Sequence, residues 1–217
     1  MIRSAIKNMN SDYFGISNKR PGFSDDNCLL KVVLKTIDQS SFFGFTPRQK
    51  SEQLSFMARK AALMSAALSG IQADLCFNKN SHGMPVPENG IWWGVSHKPE
   101  IVAGAVSFCP VGLDVEVIRP VSERVMEKVS DESERCLFKD GAEMSFFKIW
   151  TAKEAVLKVL GKGLSGLSEC KINDIISDGH ISVRYNAKIF SVTCFVSGTY
   201  IVSVVSLPDK VKFIYDS

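Results

Sequence analysis

The 217-residue sequence lacks the cysteine and histidine spacings of zinc sites and disulfide frameworks. Its six cysteines lie far apart without a Cys-x-x-Cys pair, and its three histidines are not at ligand spacing with any of them. We therefore expect reduced cysteines, as in a cytosolic protein, and no structural zinc site. The cysteines are Cys28, Cys76, Cys109, Cys136, Cys170 and Cys194, and the histidines are His82, His97 and His180.

Long apolar runs and basic clusters are also missing. No stretch approaches the ~18 uncharged apolar residues of a membrane span, and the N-terminus has no apolar export segment. The net charge of +3 is small, and no run of Lys and Arg is interleaved with aromatics. We therefore predict a cytoplasmic protein with no membrane and no nucleic-acid partner, whose mild basic excess suits an anionic ligand or an acidic partner protein.

What the sequence does contain is a strongly amphipathic stretch at residues 146–164. Its apolar side chains fall on one stripe of a helix with about 3.6 residues per turn, so we predict a helix with that face buried. The stripe consists of Phe146, Ile149, Trp150, Leu157 and Leu160. Gly161 and Gly163 follow the last apolar turn and are expected to end the helix.

Three charged residues of this helix need a partner or solvent. Lys153 lies inside the apolar stripe, where its ammonium must reach water along the surface or pair with a fixed anion. Glu154 and Lys158 are four residues apart and share the edge of the stripe, from which they can enter a cleft. A solvated Glu–Lys pair on an ordinary core helix is the alternative, and the helix alone does not decide between the two.

A second motif is Gly112–Glu116, with the sequence G-L-D-V-E. As a strand it places Leu113 and Val115 on one face, and Asp114 and Glu116 on the other face about 7 Å apart. Two such carboxylates repel each other unless a positive charge lies between them, and Mg²⁺ is the economical candidate. The alternative is an exposed acidic strand face.

The remaining pattern mixes helices and strands. We predict a strand at 28–37 and a helix at 47–67 with Arg59 and Lys60 on its polar side. Further predicted features are an exposed loop at 77–90, a hairpin of the strands 101–108 and 113–118, one or two short helices within 121–138, a helix cap formed by Asp140 and Glu143, and a C-terminal antiparallel meander of 180–185, 188–195 and 200–207.

Together these features fit one chemical task. Mg²⁺ could be held by Asp114, Glu116 and Glu154. Phosphates could be held by Lys153, Lys158, His97, Arg59 and Lys60.

Three ordered motifs resemble those of the 4′-phosphopantetheinyl transferases. They are W-G-V-S-H at 93–97, G-L-D-V-E at 112–116, and W-T-A-K-E-A-V-L-K with G-K-G-L at 150–164. Lys98 stands where many members have a small residue. Order, spacing and length resemble the larger, two-lobed bacterial type that serves siderophore, peptide and polyketide synthases. The motifs cover about the central third of the chain, and their joint match is specific although each motif alone is weak.

This resemblance implies an α+β fold of two similar halves related by pseudo-twofold symmetry. Residues 1–108 would form the half on the coenzyme A side, and residues 109–217 the half with the metal and the catalytic helix. Coenzyme A would lie in the cleft between the halves. Because the two halves supply both walls of that cleft, the resemblance implies a monomer.

The resemblance also implies roles for single residues. Asp114, Glu116 and Glu154 would bind Mg²⁺, and Glu154 would take the proton from a serine hydroxyl of an apo acyl or peptidyl carrier protein. Lys158 would neutralise charge on the phosphates and protonate the leaving group. The residues expected to contact coenzyme A are Arg59, Lys60, Ser96, His97, Lys153 and Lys158.

Two other functions stay open at this point. The siderophore-associated branch tends to carry Arg-Lys-x-Glu-x-x-x-Gly-Arg on its first helix, whereas here Arg59 and Lys60 are followed by Ala62, Ala66 and Ala67. That departure suits a protein that binds coenzyme A without transfer. A Mg²⁺-dependent phosphohydrolase would use a similar set of carboxylates and lysines.

Overall fold

The computed structural model of the protein describes residues 29–72, 74–81, 83–206 and 210–216. Cys28 and His82 lie outside the described residues, so the expectations that concern them stay predictions. Nine strands and four α-helices form in the described chain. The strands are β1 Leu30–Thr36, β2 Trp92–Lys98, β3 Ile101–Ser107, β4 Val111–Val117, β5 Cys170–Ser177, β6 His180–Tyr185, β7 Lys188–Ser197, β8 Tyr200–Ser206 and β9 Val211–Asp216. The helices are α1 Pro47–Leu68, α2 Glu123–Val129, α3 Glu132–Arg135 and α4 Ala142–Leu160, with 3-10 turns at Gln39–Phe42 and Gly163–Glu169.

The strands form two sheets, in the orders β2-β3-β1-β9 and β4-β8-β7-β6-β5. The second sheet is antiparallel throughout, which confirms the predicted C-terminal meander. The predicted hairpin of β3 with β4 is wrong, because β3 pairs with β1 and β2 whereas β4 pairs with β8. Both strands are buried along almost their whole length, so they stack in different layers and cover each other instead of pairing side by side.

Four layers result, in the order α1, first sheet, second sheet, α4. The facing sides of the two sheets share one apolar cluster, formed by Leu30, Val32, Leu34, Ile101, Ala103, Ala105, Val111, Leu113, Val115, Val202 and Val204. Helix α1 packs on the outer face of the first sheet and α4 on the outer face of the second. The edge strands β2 and β4 adjoin each other where the two sheets meet.

The α+β class predicted from the sequence is confirmed. The chain leaves the first sheet after β3 and enters the second at β4, and β9 returns to the first sheet beside β1. The pseudo-twofold symmetry and the division into 1–108 and 109–217 stay predictions.

Helix α1 begins where the predicted helix does and for a local reason. Thr46 caps it by accepting a hydrogen bond from the backbone N–H of Gln49, whose side chain in turn accepts one from the N–H of Thr46. Pro47 occupies the first helical position, where no hydrogen bond is lost. Capping residues and proline therefore determine this helix start from the sequence alone.

Helix α4 confirms the predicted central helix and extends it by one turn at its N-terminal end. It ends at Gly161, whose φ of 65° lies in the left-handed region that favours glycine. The predicted cap by Asp140 and Glu143 is wrong, because Gly141 holds the capping position and contributes no side-chain bond. Asp140 instead forms an ion pair with Lys148 at 2.8 Å, which draws its carboxylate away from the helix end.

Two glycines let the helices lie directly on the sheets. A Cβ atom added at Gly104 in β3 would lie 2.2 Å from the backbone nitrogen of Ala62 in α1, and one added at Gly112 in β4 would lie 2.0 Å from the carbonyl oxygen of Ala155 in α4. Ala62 and Ala66 are buried residues of α1 and pack against the first sheet. Their small size therefore has a packing reason that is independent of nucleotide binding.

The close approach at Gly112 predicts a large penalty for one added methyl group. We expect Gly112→Ala to lower the free energy of unfolding by about 1–3 kcal/mol, since α4 must move away from β4. Gly94→Ala is the matched control, because its Cβ would meet its nearest neighbours at 3.4 Å. Urea unfolding of both variants checks this; equal stability of the two would show that α4 moves without cost.

The described cysteines differ sharply in exposure, and none of them is in a disulfide. Burial raises the pKa of the Cys170 thiol to about 12 and that of Cys194 to about 11, so both stay protonated and inert. We expect iodoacetamide to alkylate the exposed Cys76 and Cys136 in the native protein and to reach Cys170 and Cys194 only in denaturant. Peptide mass spectrometry checks this, and rapid native labelling of Cys170 would contradict the buried core.

None of the helices in the described ranges combines the length and apolarity that a membrane crossing needs.

Candidate active site

A cavity of about 270 Å³ opens where β2, β4 and α4 meet. Its lining residues are Ser55, Lys79, Val95, Ser96, His97, Lys98, Asp114, Glu116, Trp150, Glu154 and Lys158. Of the residues predicted to form a site, the structure thus brings six together from three separate segments: Ser96, His97, Asp114, Glu116, Glu154 and Lys158.

Asp114 is a buried residue of the cavity wall. It faces α4 because the alternation of β4 points Leu113 and Val115 into the core between the sheets. Its side chain is buried, and its Oδ1 accepts hydrogen bonds from Lys158 Nζ at 2.6 Å and Ser96 Oγ at 3.0 Å. The other carboxylate oxygen, Oδ2, is buried and has no hydrogen-bond partner in the described chain. An exposed acidic strand face is therefore excluded.

Lys158 connects the helix to both edge strands. Its ammonium donates to Asp114 Oδ1, to Ser96 Oγ at 3.1 Å and to the carbonyl of Leu113 at 3.0 Å. Three acceptors match the three hydrogens of the ammonium. Lys158 is thus held at the polar cavity and is not the solvated partner of Glu154.

Glu116 has a different set of partners. Its Oε1 accepts a hydrogen bond from the indole nitrogen of Trp150 at 2.9 Å and forms an ion pair with Lys98 Nζ at 2.7 Å. The sequence interpretation assigned Trp150 to the apolar stripe and treated Lys98 only as a departure from the family motif. The polar role of Lys98 had one weak indication in the sequence, which is its position directly after the Ser-His element.

Glu154 lacks such partners within the described chain. Its Oε1 is buried without a hydrogen bond, and the pKa of Glu154 is raised, first by burial and then by the nearby carboxylate of Asp114. The charges of Lys158 and Lys98 oppose this rise. The sequence predicts repulsion between Asp114 and Glu116 within β4. In the structure, Asp114 of β4 also repels Glu154 of α4.

The residues present fit a hard cation. Asp114 Oδ2 and Glu154 Oε1 are buried, unpartnered oxygens beside the same cavity, and their charges repel. Carboxylate oxygens are the ligands that Mg²⁺ prefers. No group of three acidic, histidine or cysteine side chains in the described ranges is arranged to hold a metal. The third acidic residue, Glu116, instead contacts Lys98 and Trp150.

His97 lines the cavity among positive charges. Its pKa is lowered, first by burial and then by the charges of Lys158, Lys98 and Lys79. This concentration of cations suits an anionic ligand such as a phosphate group. Sequence reasoning missed Lys79, whose position depends on the bridge between Lys79 and Pro85 in the loop 77–90.

Lys153 does not line this cavity, which corrects its expected place at the cleft. Its side chain is 0% exposed, and its ammonium lies 2.7 Å from Glu134 Oε1 and donates to the carbonyl of Val129. Consecutive residues of a helix point about 100° apart, and here Glu154 lines the cavity while Lys153 points to Glu134 and Val129. Lys153 therefore joins α4 to α3 and to the end of α2.

The structure separates Arg59 from Lys60. Arg59 donates to Ser55 Oγ at 3.0 Å, and Ser55 lines the cavity, so Arg59 lies next to its rim. Lys60 is exposed, with its ammonium 4.6 Å from the ring centre of Phe56. The geometry thus supports a ligand contact for Arg59 more than for Lys60.

A second cavity of about 190 Å³ adjoins the first and shares Lys79, Val95 and Lys158 with it. It lies between the segment 83–85 and the end of α4. Most of its other lining is apolar, from Met84, Pro85, Trp93, Val111, Leu113 and Leu157. The cleft therefore has a charged half, suited to a metal and phosphates, and an apolar half.

Comparison with known proteins agrees with this chemistry. The sequence model of the 4′-phosphopantetheinyl transferase superfamily matches residues 110–205. The 4′-phosphopantetheinyl transferase psf-1 of Bacillus pumilus is 30% identical over 172 residues, which cover 71% of this chain and 73% of the relative.

Two further relatives match over shorter ranges. The 4′-phosphopantetheinyl transferase gsp of Aneurinibacillus migulanus is 35% identical over 42% of this chain and 40% of its own length. The 4′-phosphopantetheinyl transferase Sfp of Bacillus subtilis strain 168 is 28% identical over 52% of this chain and 53% of its own length. In these two matches the chain spans about half the length of the relative or less.

Proposed function

The chain belongs to the 4′-phosphopantetheinyl transferase superfamily, and we propose that it transfers the 4′-phosphopantetheine group of coenzyme A to a serine hydroxyl of an apo acyl or peptidyl carrier protein. The observation that carries this proposal is the buried, unpartnered carboxylate oxygen of Glu154 beside Asp114. It supplies a base next to a cation-binding and phosphate-binding cavity. Siderophore, polyketide or peptide synthesis is the proposed context.

In the proposed reaction Glu154 accepts the proton of the carrier serine, directly or through a water molecule. Its Oε1 has no hydrogen-bond partner in the described chain, so this oxygen is available to take a proton. The serine oxygen forms a bond to the β-phosphorus of coenzyme A, and the bond from that phosphorus to the bridging oxygen breaks. The electron pair leaves with 3′,5′-ADP.

The basic residues of the cavity act on the phosphates. Lys158, held by Asp114 and Ser96, is placed to balance the charge that develops on the leaving group and to donate a proton to it. His97, Lys79 and Arg59 lie where they can bind the remaining phosphates of the nucleotide. The apolar second cavity suits the uncharged pantetheine arm.

Asp114 and Glu154 would hold Mg²⁺, and family similarity adds Glu116 to this set. When bound, Mg²⁺ supplies charge neutralisation on the pyrophosphate of coenzyme A. In the protein itself, Ser96 and Lys158 orient Asp114 so that its second oxygen stays free.

Transfer is tested by incubating the protein with coenzyme A, Mg²⁺ and a panel of apo carrier proteins. We expect intact-mass spectrometry to show a phosphopantetheine-sized gain on at least one carrier and none on its Ser→Ala variant. Coenzyme A binding without a mass gain on any carrier would favour the binding protein that has lost transfer. Release of 3′,5′-ADP without a carrier would favour the phosphohydrolase. The monomeric state and the cytoplasmic location stay predictions.

A further inference from the structure

Lys98 forms an ion pair with Glu116, one of the three carboxylates expected to bind the metal. Its ammonium lies 2.7 Å from Glu116 Oε1, and the same oxygen accepts the indole N–H of Trp150. The Glu116 side chain is only 6% exposed, whereas that of Lys98 is 36% exposed. The pair therefore extends from the mouth of the cavity to a buried carboxylate.

The other two carboxylates, those of Asp114 and Glu154, each have an oxygen without a hydrogen-bond partner in the described chain. These oxygens, Asp114 Oδ2 and Glu154 Oε1, are buried and belong to residues that line the same cavity. A buried carboxylate without a partner gains most from a cation, whereas one that is already neutralised gains least. The three acidic residues are thus unequal as ligands.

We infer that Lys98 acts as a built-in cation that keeps Glu116 out of the metal site, so that the divalent cation is held by Asp114 and Glu154. This inference rests on the metal site of the proposed function and removes Glu116 from the ligand set that family similarity gives. Lys98 is then the residue that sets the metal affinity of this chain, and Glu116 positions Lys98 and Trp150.

The balance of charges in the cavity predicts how removal of the Lys98 charge changes the affinity for a divalent cation. Lys158 pairs with Asp114 and Lys98 pairs with Glu116, which leaves the charge of Glu154 unbalanced by an ion pair in the described chain. Removing the Lys98 charge makes the cavity more negative and frees Glu116 as a third ligand. Both consequences strengthen cation binding.

Direct metal binding tests this without coenzyme A or a carrier. Free Mn²⁺ is followed by electron paramagnetic resonance during titration of the folded protein, and Mg²⁺ is then added as a competitor. We expect Lys98→Met to tighten Mn²⁺ binding about tenfold. Glu116→Gln removes no ligand but leaves the charge of Lys98 unbalanced, so it should weaken binding clearly less than Asp114→Asn, which removes a ligand and leaves Lys158 unbalanced. Asp114→Asn should weaken it at least about tenfold.

Lys79→Met is the matched control, because Lys79 lines the same cavity but pairs with none of these carboxylates in the described chain. Its effect should be clearly smaller than that of Lys98→Met. Equal effects of the two, or a loss in Glu116→Gln as large as in Asp114→Asn, would overturn the inference. Glu116→Gln keeps the side-chain shape, so this arm is decisive even if Lys98→Met does not fold.

The outcomes also separate this inference from the proposed function. Absence of Mn²⁺ binding by the wild type would overturn the inference and remove the metal from the proposed reaction. The expected order of affinities without carrier modification would support the inference and count against transfer.

Discussion

Glu154→Gln is expected to lower the rate of carrier modification by about 10²–10⁴-fold while the protein stays folded. The amide keeps the shape of the side chain but cannot accept the serine proton. It also removes a cation ligand beside Asp114. The measurement is the initial rate of mass gain on the best carrier at saturating coenzyme A and Mg²⁺.

Glu143→Gln provides the control for this variant. Glu143 lies on the same helix, in its exposed first turn, and should keep the wild-type rate. Retention of more than about a tenth of the rate in Glu154→Gln would rule out this carboxylate as the base.

The same variant has a predicted effect on stability, with a defined pH window. The pKa of Glu154 is raised above its ordinary value of 4.5, so ionisation of this group opposes folding. The penalty is absent at low pH, where the group is protonated in both states, and develops as the pH rises from about 4.5 through the folded-state pKa. Without added metal we therefore expect Glu154→Gln to melt at a higher temperature than the wild type at neutral pH, and the difference to disappear near pH 4. A lower melting temperature at neutral pH would contradict the raised pKa that burial and the nearby carboxylate of Asp114 produce.

Lys153→Met is expected to lower the free energy of unfolding by about 3–5 kcal/mol. It removes the cation that lies 2.7 Å from the carboxylate of Glu134, a 2% exposed residue, and leaves the partly exposed Lys171, at 3.6 Å, as the cation of that carboxylate in the described chain. Glu134 retains its hydrogen bond from the backbone N–H of Ile172 at 2.7 Å, which limits the loss. Chemical unfolding of the variant gives the value.

Lys148→Met is the matched control on the same helix. Its ion pair with Asp140 is partly exposed, so its loss should cost less than about 1 kcal/mol. The double variant Lys153→Met with Glu134→Gln should recover part of the stability, since no unpaired charge stays buried.

Coenzyme A binding separates the two interpretations of Lys153. If Lys153 joins α4 to α3, its substitution lowers the free energy of unfolding and leaves the coenzyme A affinity of the folded protein unchanged. If Lys153 binds a phosphate, its substitution lowers the coenzyme A affinity and leaves the free energy of unfolding unchanged. Calorimetry below the melting temperature of Lys153→Met measures this affinity. Unchanged stability with a large loss of coenzyme A affinity would place Lys153 at the cleft after all.

Much of the candidate site could be predicted from the sequence because side-chain direction is a local property. The alternation of a strand placed Asp114 and Glu116 together, and the helical period placed Glu154 and Lys158 on one edge. The predicted helix start at Pro47 and the predicted helix end at Gly161 are likewise confirmed. The order of the three motifs was enough to indicate the family.

Only the tertiary structure decided which faces meet. Periodicity placed Lys153 on a buried stripe, but the partner Glu134 lies on another helix, and its contact depends on how α3 packs against α4. The stacking of β3 and β4 in separate layers and the pairing of Lys98 with Glu116 also depend on packing between segments distant along the chain. A local pattern determines which residues share a face, whereas contacts between elements are selected by the burial of the whole core.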